Sequence, residues 1–307
     1  LLRATLLRLG PSDHSLLLGL HHIVADGWSI GVLIDDLGAL YRAALVHGPA
    51  DLPPLPVQYL DYAQWQRRLL RGDLLERQKA FWRGRLAGVP QRLELPADRP
   101  RPAVASQAGD SIRFSLPGPL VARLEALGHA RGGTLFMVLL AAFEALLHRV
   151  TGATDFVVGT DVAGRPRREL DRLVGFFVNV LPLRARPEAA LPFAALLDRV
   201  REDSLQAFEQ PLLPFDQIVE AVGAPRDRAR NPLVQVLFVL QSAPRGRFGV
   251  DGLTAELRPA QAHGSKFDMA LFLDPLGPRA AQGLDGEWVF ATDLFARPRV
   301  GRLVAAW

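Results

Sequence analysis

Cysteine is absent from the 307 residues. That excludes disulfides, thiolate–metal sites and a cysteine nucleophile, although it does not by itself fix the compartment. Lysine is almost absent too. Only Lys79 and Lys266 occur, so 34 of the 36 basic residues are arginine. The longest apolar stretch, Leu135 to Leu147, is short and carries Glu144, which argues against a membrane span. No Gly-x-Ser-x-Gly elbow is present, so a Ser-His-Asp hydrolase is disfavoured. No repeat of solenoid period is found. The chain opens Leu1-Leu2-Arg3, without Met or a signal-peptide pattern, and stops at Trp307 inside a predicted helix. It reads as an excised piece of a longer polypeptide.

What is present points to a folded α/β chain. Hydrophobic residues make up 49% and charged residues 22%, which argues against disorder, and the length allows one large or two ordinary domains. The formal net charge is +4, yet the arginines are scattered and interleaved with acids, as in Arg226-Asp227-Arg228. A nucleic-acid binder would concentrate its charge on one stripe, so no nucleic-acid partner is expected.

Periodicity gives the elements. Strands are predicted over Leu1 to Leu9 and Ser15 to His22, with Leu16, Leu18, Leu20 and His22 on one face. A helix capped by Ser29 follows, and a second helical region runs from about Tyr59 to Leu86, interrupted near Gly72. Pro90, Pro96, Pro100 and Pro102 mark an extended linker, because proline fixes φ and removes backbone donors. Beyond it come a strand (Ser111 to Leu116), helices to about Arg131 and over Thr134 to Val150, and strands over Asp155 to Val162 and Val178 to Arg184. A helix over Pro192 to Phe208 precedes strands at Leu233 to Ser242, Leu253 to Arg258, Phe267 to Asp274 and Gly283 to Ala291. The mixture predicts an α/β or α+β sandwich.

The chemistry concentrates in His21-His22-Ile23-Val24-Ala25-Asp26-Gly27-Trp28-Ser29. On a strand the two histidines would point to opposite sides. Asp26 could hold the loop through a buried ion pair with an arginine, or orient an imidazole. Gly27 either permits positive φ or lets another backbone or a substrate come close. A metal site is disfavoured, because adjacent strand residues diverge and no third ligand lies at a familiar spacing. His14, His47, His129, His148 and His263 are isolated and read as structural.

This segment resembles the HHxxxDG motif of the condensation domains of nonribosomal peptide synthetases, relatives of chloramphenicol acetyltransferase. Further family motifs come after it in order. Tyr59-Leu60-Asp61-Tyr62-Ala63-Gln64-Trp65 resembles YxDYAxW, and Val174 to Asn179, running on to Arg184, resembles VGxFVN…R. Arg226 to Leu233 resembles RDxSRNPL with Ala229 for Ser. Pro214-Phe215-Asp216 keeps the end of HQDxPFE, whereas Gln210-Pro211-Leu212 departs from its start. Ser265 to Asp268 and Thr292 to Phe295 resemble the C-terminal strands.

The resemblance implies a fold of two chloramphenicol-acetyltransferase-like α/β sandwich subdomains in a V, the first incomplete. Residues 1–89 would close the N-terminal subdomain, 90–108 would cross between subdomains, and 109–307 would form the C-terminal subdomain. It implies amide formation in which an acceptor aminoacyl amine attacks a donor acyl thioester, with the ordinary L-amino-acid-joining subtype favoured. Epimerising, dual and acyl-starter subtypes stay open, as does a degenerate module that only recruits partner proteins. No cofactor is expected on the domain itself; 4'-phosphopantetheine belongs to partner carrier domains. Donor and acceptor carrier domains and an adenylation domain are the implied partners, and the cytoplasm the implied location. His22 is expected to position the amine, with His21 packing in support, Asp26 structural and Gly27 the close-approach residue. Trp28 and Asn179 are candidates for a substrate tunnel. Tyr59, Tyr62 and Trp65 are expected to pack, and Arg226, Arg230 and Asn231 to order a loop. The isolated piece should expose apolar surface over Leu1 to Leu86 and be inactive.

Overall fold

Leucine-rich segments begin the chain as an antiparallel hairpin of β1 (Leu2–Arg8) and β2 (His14–Leu20), with Leu6 opposite Leu16 and Leu2 opposite Leu20. The computed structural model describes residues 1–243, 246–258, 264–276 and 282–307; His263 lies outside them. By contacts the chain divides into two units. The first comprises Leu1–Arg71 with Ala163–Val178 and Ala243–Pro259, and the second comprises Gly72–Val162, Asn179–Ser242 and Ala260–Trp307.

The first unit holds the hairpin, α1 (Gly27–Leu45) and α2 (Tyr59–Leu69). Its small core is Tyr62, Leu170, Leu173 and Phe177, with Val57 and Trp65 against it. The hairpin contributes little to that core: Leu2, Leu6, Leu16 and Leu18 on one face, and Leu7 and Leu17 on the other, are all exposed. A two-stranded ribbon with bare apolar faces is marginal on its own.

The second unit is built on a six-stranded sheet. In chain order its strands are β3 (Gly109–Pro117), β4 (Phe156–Val162), β5 (Asn179–Ala185), β6 (Val236–Leu240), β7 (Met269–Pro275) and β8 (Gly283–Ala291). Their spatial order is β3-β8-β7-β6-β4-β5, with β4, β6 and β7 parallel and the outer pairings antiparallel. The central strand β6 is apolar on both faces. Val236 and Phe238 enter the main core, and Leu237 and Val239 join a smaller cluster with Ala270. Helices α3 (Gly72–Arg85), α4 (Gly118–Ala130), α5 (Leu135–Thr151), α6 (Phe193–Phe208), α7 (Phe215–Ala221) and α8 (Arg297–Ala306) complete the unit. Thr134 caps α5 by accepting from the Met137 amide, and Gly152 ends it in the left-handed region. No single helix among the described residues is long and apolar enough to cross a membrane.

The Pro-rich stretch packs on a core instead of hanging free. The contact boundary falls at Arg71/Gly72, and 90–108 lies wholly within the second unit. Apolar residues interleave with the prolines, so Val89, Leu93 and Leu95 are buried in the main core. The Leu93 amide donates to Gln235 Oε1 (2.9 Å), and the Asp98 amide donates to the Leu294 carbonyl (2.8 Å). The stretch is extended, as proline requires, but bonded down along its length. Two strand expectations also change. Leu233 adopts φ 63°, so the strand begins only at Val236. Leu253 to Arg258 forms no strand beyond a single bridge from Leu253 to Val250, because Leu253 and Leu257 are exposed and have no sheet to pack on.

Glu144, which interrupted the apolar run in the sequence, is buried in the middle of α5. Burial raises its pKa well above the ordinary glutamate range, and the nearby Asp203 carboxylate pushes the same way. Its folded-state pKa lies above the unfolded value of about 4.3, so stability is greatest below that pH and falls as pH rises through it. Glu144→Gln removes the ionisation. Thermal unfolding should show the variant gaining on the parent as pH rises from acidic to neutral; a pH-independent difference would place the effect elsewhere.

Candidate active site

The histidine segment leaves the sheet before the histidines rather than after them. β2 ends at Leu20, His21 stands at the N-cap, and His22–Val24 form one turn of 3-10 helix. The expectation of two strand side chains on opposite faces is therefore corrected, and the cause is local. His21 Nδ1 accepts from the Ile23 amide (3.1 Å), and the Val24 amide donates to the His21 carbonyl (3.0 Å), so the backbone turns at once. His21 is a capping residue, and its exposed ring must carry its proton on Nε2 to accept at Nδ1.

His22 has the opposite tautomer. Its Nδ1 lies 2.7 Å from the Ala25 carbonyl. A carbonyl only accepts, so Nδ1 holds a proton, and in the neutral ring Nε2 keeps its lone pair. The ring sits edge-on to Phe176, with centroids 4.9 Å apart and planes at 82°. His22 is exposed. The Ala25 contact fixes the ring plane and turns Nε2 away from the loop backbone.

Asp26, 4% exposed, resolves the two roles left open for it. It caps α1, a place assigned from sequence to Ser29. Its Oδ1 accepts from the Ser29 amide (2.8 Å) and lies 2.7 Å from Ser29 Oγ and 3.3 Å from Arg165 Nη2. Its Oδ2 accepts from the Phe177 amide (3.0 Å), and its own amide donates to the Gly175 carbonyl (3.1 Å). Both oxygens are occupied, and neither bonds an imidazole. A carboxylate at a helix N-terminus also meets the positive end of the helix dipole.

Arg165 is the residue that sequence reasoning could anticipate only as an arginine of unknown position. Its side chain is 1% exposed. Nη1 donates to the Leu173 carbonyl (2.9 Å) and to that of Leu170, while Nη2 reaches Asp26 and Ser29 Oγ (3.2 Å). The guanidinium lies 4.0 Å above the Phe177 ring and 5.6 Å from that of Trp28. Burial lowers its pKa, and Asp26 opposes the shift. Gly164, just before it, has φ 63°, and a Cβ there would lie 1.8 Å from the Phe177 carbonyl oxygen; only glycine fits.

The α2 tyrosines hold the same segment. Tyr59 donates to the Phe176 carbonyl (2.8 Å), while buried Tyr62 packs on Phe177 with ring centroids 4.8 Å apart. Burial raises both phenol pKa values, and the Asp26 carboxylate adds to the shift at Tyr59, so both remain neutral. Phe176 and Phe177 divide as their neighbours require, the first 38% exposed beside His22 and the second 3% exposed in the core.

Other sequence candidates fall elsewhere. Trp28 donates Nε1–H to the Asp171 carbonyl (2.9 Å), so its polar edge anchors the 163–178 segment. Asn179 belongs to the second unit; it donates to the Pro211 and Leu213 carbonyls and accepts from the Phe215 amide, fixing the turn into α7. Gly27 has no positive φ, and a Cβ there would meet no atom within 4 Å, so internal packing does not demand a glycine. Arg184 pairs with Asp155, and Arg230 pairs with Glu94 and Asp227, so both are structural. Among the described residues no three His, Asp or Glu side chains group as a metal site.

A family model described as "Condensation domain" matches residues 1–307. The chain belongs to the condensation-domain family. The condensation domain is 41% identical to a dimodular nonribosomal peptide synthase of Bacillus subtilis over 96% of its own length and 13% of that protein's. It is 46% identical to phosphinothricin tripeptide synthetase PhsC of Streptomyces viridochromogenes over 89% of its length and 25% of that protein's. It therefore spans a small part of the synthetases it resembles. Among solved structures, the X-domain from teicoplanin biosynthesis superposes with a TM-score of 0.90 at 29% identity, covering 99% of this domain and 70% of that chain. The first condensation domain of the CDA synthetase superposes with a TM-score of 0.80 at 22% identity, covering 100% of this domain and 66% of that chain, a likeness of fold.

Removing Arg165 would leave Asp26 as a buried carboxylate with its counter-charge gone. Arg165→Ala should cost about 3–5 kcal/mol of stability, the usual penalty for breaking one side of a buried pair. Urea unfolding followed by tryptophan fluorescence measures it, and a loss under about 1 kcal/mol, the range of an exposed pair, would show that the loop is held by other contacts.

Proposed function

We propose that the domain forms amide bonds in nonribosomal peptide synthesis, with an acceptor aminoacyl amine attacking the thioester carbonyl of a donor acyl group. Both substrates would be tethered through 4'-phosphopantetheine to carrier domains of the same assembly. The observation that carries this reading is the His22 tautomer, with Nδ1–H bound to the Ala25 carbonyl and Nε2 available as an acceptor on an exposed, oriented ring. Membership of the family and likeness to peptide synthetases support the substrate class.

A thioester is already an activated acyl group, so a nucleophilic side chain is not needed. The requirement is to hold a neutral amine in line with the carbonyl. An α-amine has a pKa of about 7.7–8.0, so a useful fraction is neutral near pH 7. Orientation can supply roughly 7–11 kcal/mol of a barrier, against about 10²–10⁴-fold for general-base action. His22 Nε2 therefore acts chiefly by accepting a hydrogen bond from the attacking amine, with proton acceptance secondary. Asp26 serves by fixing the backbone that aims His22, and Gly27 by leaving room beside it. The ordinary subtype, joining L-amino acids, is favoured by the uninterrupted HHxxxDG-Trp-Ser segment.

A second reading is recruitment without catalysis. One solved structural neighbour, at 29% identity, is a complex of the X-domain with OxyB. The oriented His22 and the fully bonded Asp26 favour catalysis over that role.

The deciding measurement is single-turnover peptide-bond formation in an intact synthetase module with both loaded carrier domains. His22→Ala should lower the rate by at least about 100-fold, while His21→Ala, a cap lost on an exposed turn, should change it only a few-fold. Equal rates for His22→Ala and the parent would rule out a direct role for His22. A parent module forming no bond at all would favour recruitment.

A further inference from the structure

The Arg226–Leu233 motif and the second lysine of the chain play no part in the site above, yet they meet in the second unit. At the end of the sheet where β6 and β7 begin, segments 101–107, 227–231 and 265–268 enclose a cavity of about 340 Å³. Two of its three carboxylates are ion-paired within the protein, and the third is hydrogen-bonded. Asp268 is paired with Arg101, through Nη1–Oδ1 at 2.9 Å and a second bond from Nη2 to Oδ2. Asp227 has Arg230 at 3.3 Å and Arg92 at 3.7 Å, and accepts from the Ala229 amide at 2.8 Å. Asp293 accepts from the amide and hydroxyl of Ser106, both at 2.9 Å.

Two lining cations are different. The side chains of Arg228 and Lys266 are exposed and have no hydrogen-bond or ion-pair partner among the described residues, although their backbones are fixed. The Arg228 carbonyl accepts from the Ala105 amide (3.0 Å), and the Lys266 carbonyl accepts from Asn231 Nδ2. Gln107, also lining the cavity, is held at φ 62° with its carbonyl bonded to the Ser265 amide (2.9 Å). Left-handed backbone at a non-glycine residue is costly and persists where surroundings enforce it. The result is two uncompensated positive charges and a primary amide, brought by three different segments to one concave surface.

We propose that this cavity binds a phosphate group carried on a larger molecule. A planar carboxylate is matched by one arginine fork, whereas a tetrahedral phosphate accepts from several donors, which three separate segments can supply here. The volume falls within the range of small-molecule sites and far exceeds the roughly 30 Å³ share of one water, leaving room for what bears the phosphate.

The scarcity of lysine makes the test direct. Reductive ¹³C-methylation keeps the charge, and within residues 1–307 it labels only the Lys79 and Lys266 side chains. Titration with glycerol 3-phosphate should move the Lys266 methyl resonance saturably and leave Lys79, which sits 4.0 Å from Glu76, in place. Inorganic phosphate should bind more weakly and glycerol not at all. Arg228→Gln should weaken binding of the ester about tenfold, equivalent to about 1.4 kcal/mol. A non-saturating shift, equal shifts at both lysines, or unchanged affinity in Arg228→Gln would overturn the site. Inorganic phosphate binding as tightly as the ester would overturn the inference that the phosphate is carried.

Discussion

The histidine loop depends on one buried ion pair. Asp26 and Arg165 lie 139 residues apart, and their side chains are 3% and 1% exposed. Desolvating two charges costs several kcal/mol per ion, and attraction offsets that only where the remaining lone pairs and protons are also bonded. Here nearly all are. Asp26 accepts from the Ser29 and Phe177 amides and from Arg165, which also holds the Leu170 and Leu173 carbonyls; only Arg165 Nε lacks a partner among the described residues. The pair thus joins the start of α1 to the 163–178 segment and fixes both backbones. Geometry of this kind serves position more than stability.

Residues that look alike in sequence divide the work around that pair. His21 and His22 are adjacent imidazoles with opposite tautomers, one turned inward on its own backbone as a cap and one left with a free acceptor. Asp26, four residues on, bonds neither. The arrangement is unlike a catalytic triad, where a carboxylate orients the imidazole and the imidazole activates a nucleophile. Here a backbone carbonyl does the orienting, and in the proposed reaction the incoming amine would itself be the nucleophile. The missing cysteine and serine elbow agree with such chemistry, since the only activated sulfur would arrive on a carrier.

Much of this is legible in the sequence, because it is encoded locally. The hairpin, α1, the interruption near Gly72 and the long apolar helix α5 follow from periodicity and caps. The His22, Asp26 and Gly27 loop stands out by its residue types, and an arginine partner is one of the two roles open to Asp26. The identity of that arginine is not legible. Arg165 is one of 34, and nothing local distinguishes it except Gly164, whose positive φ places the Arg165 backbone. The Pro-rich stretch misleads for a related reason. Proline dictates extended backbone correctly, but whether extended chain hangs free or lies on a core depends on Val89, Leu93 and Leu95 between the prolines. Leu253 to Arg258 shows the converse. An alternating pattern describes a strand only if another strand and a buried face await it.

The arginine excess, scattered too widely for a nucleic-acid stripe, has a structural use. Arg85, Arg101, Arg165, Arg184 and Arg230 are each less than a fifth exposed and each engage a carboxylate. All but Arg230 also donate to main-chain carbonyls. A guanidinium can do this because it presents five donors in a rigid plane and is weakly hydrated, so one side chain bonds a carboxylate and a carbonyl together. A lysine ammonium, compact and strongly hydrated, would leave one of those partners unmet. Loops without regular hydrogen bonding, such as 163–178 and 226–231, are where such forks are needed, since their carbonyls have no helix or ladder to satisfy them. The same logic singles out the exceptions. Arg228 and Lys266 do not follow that pattern: both are exposed, both line one cavity, and neither side chain has a carboxylate or carbonyl partner among the described residues, which leaves them open to an anion from outside.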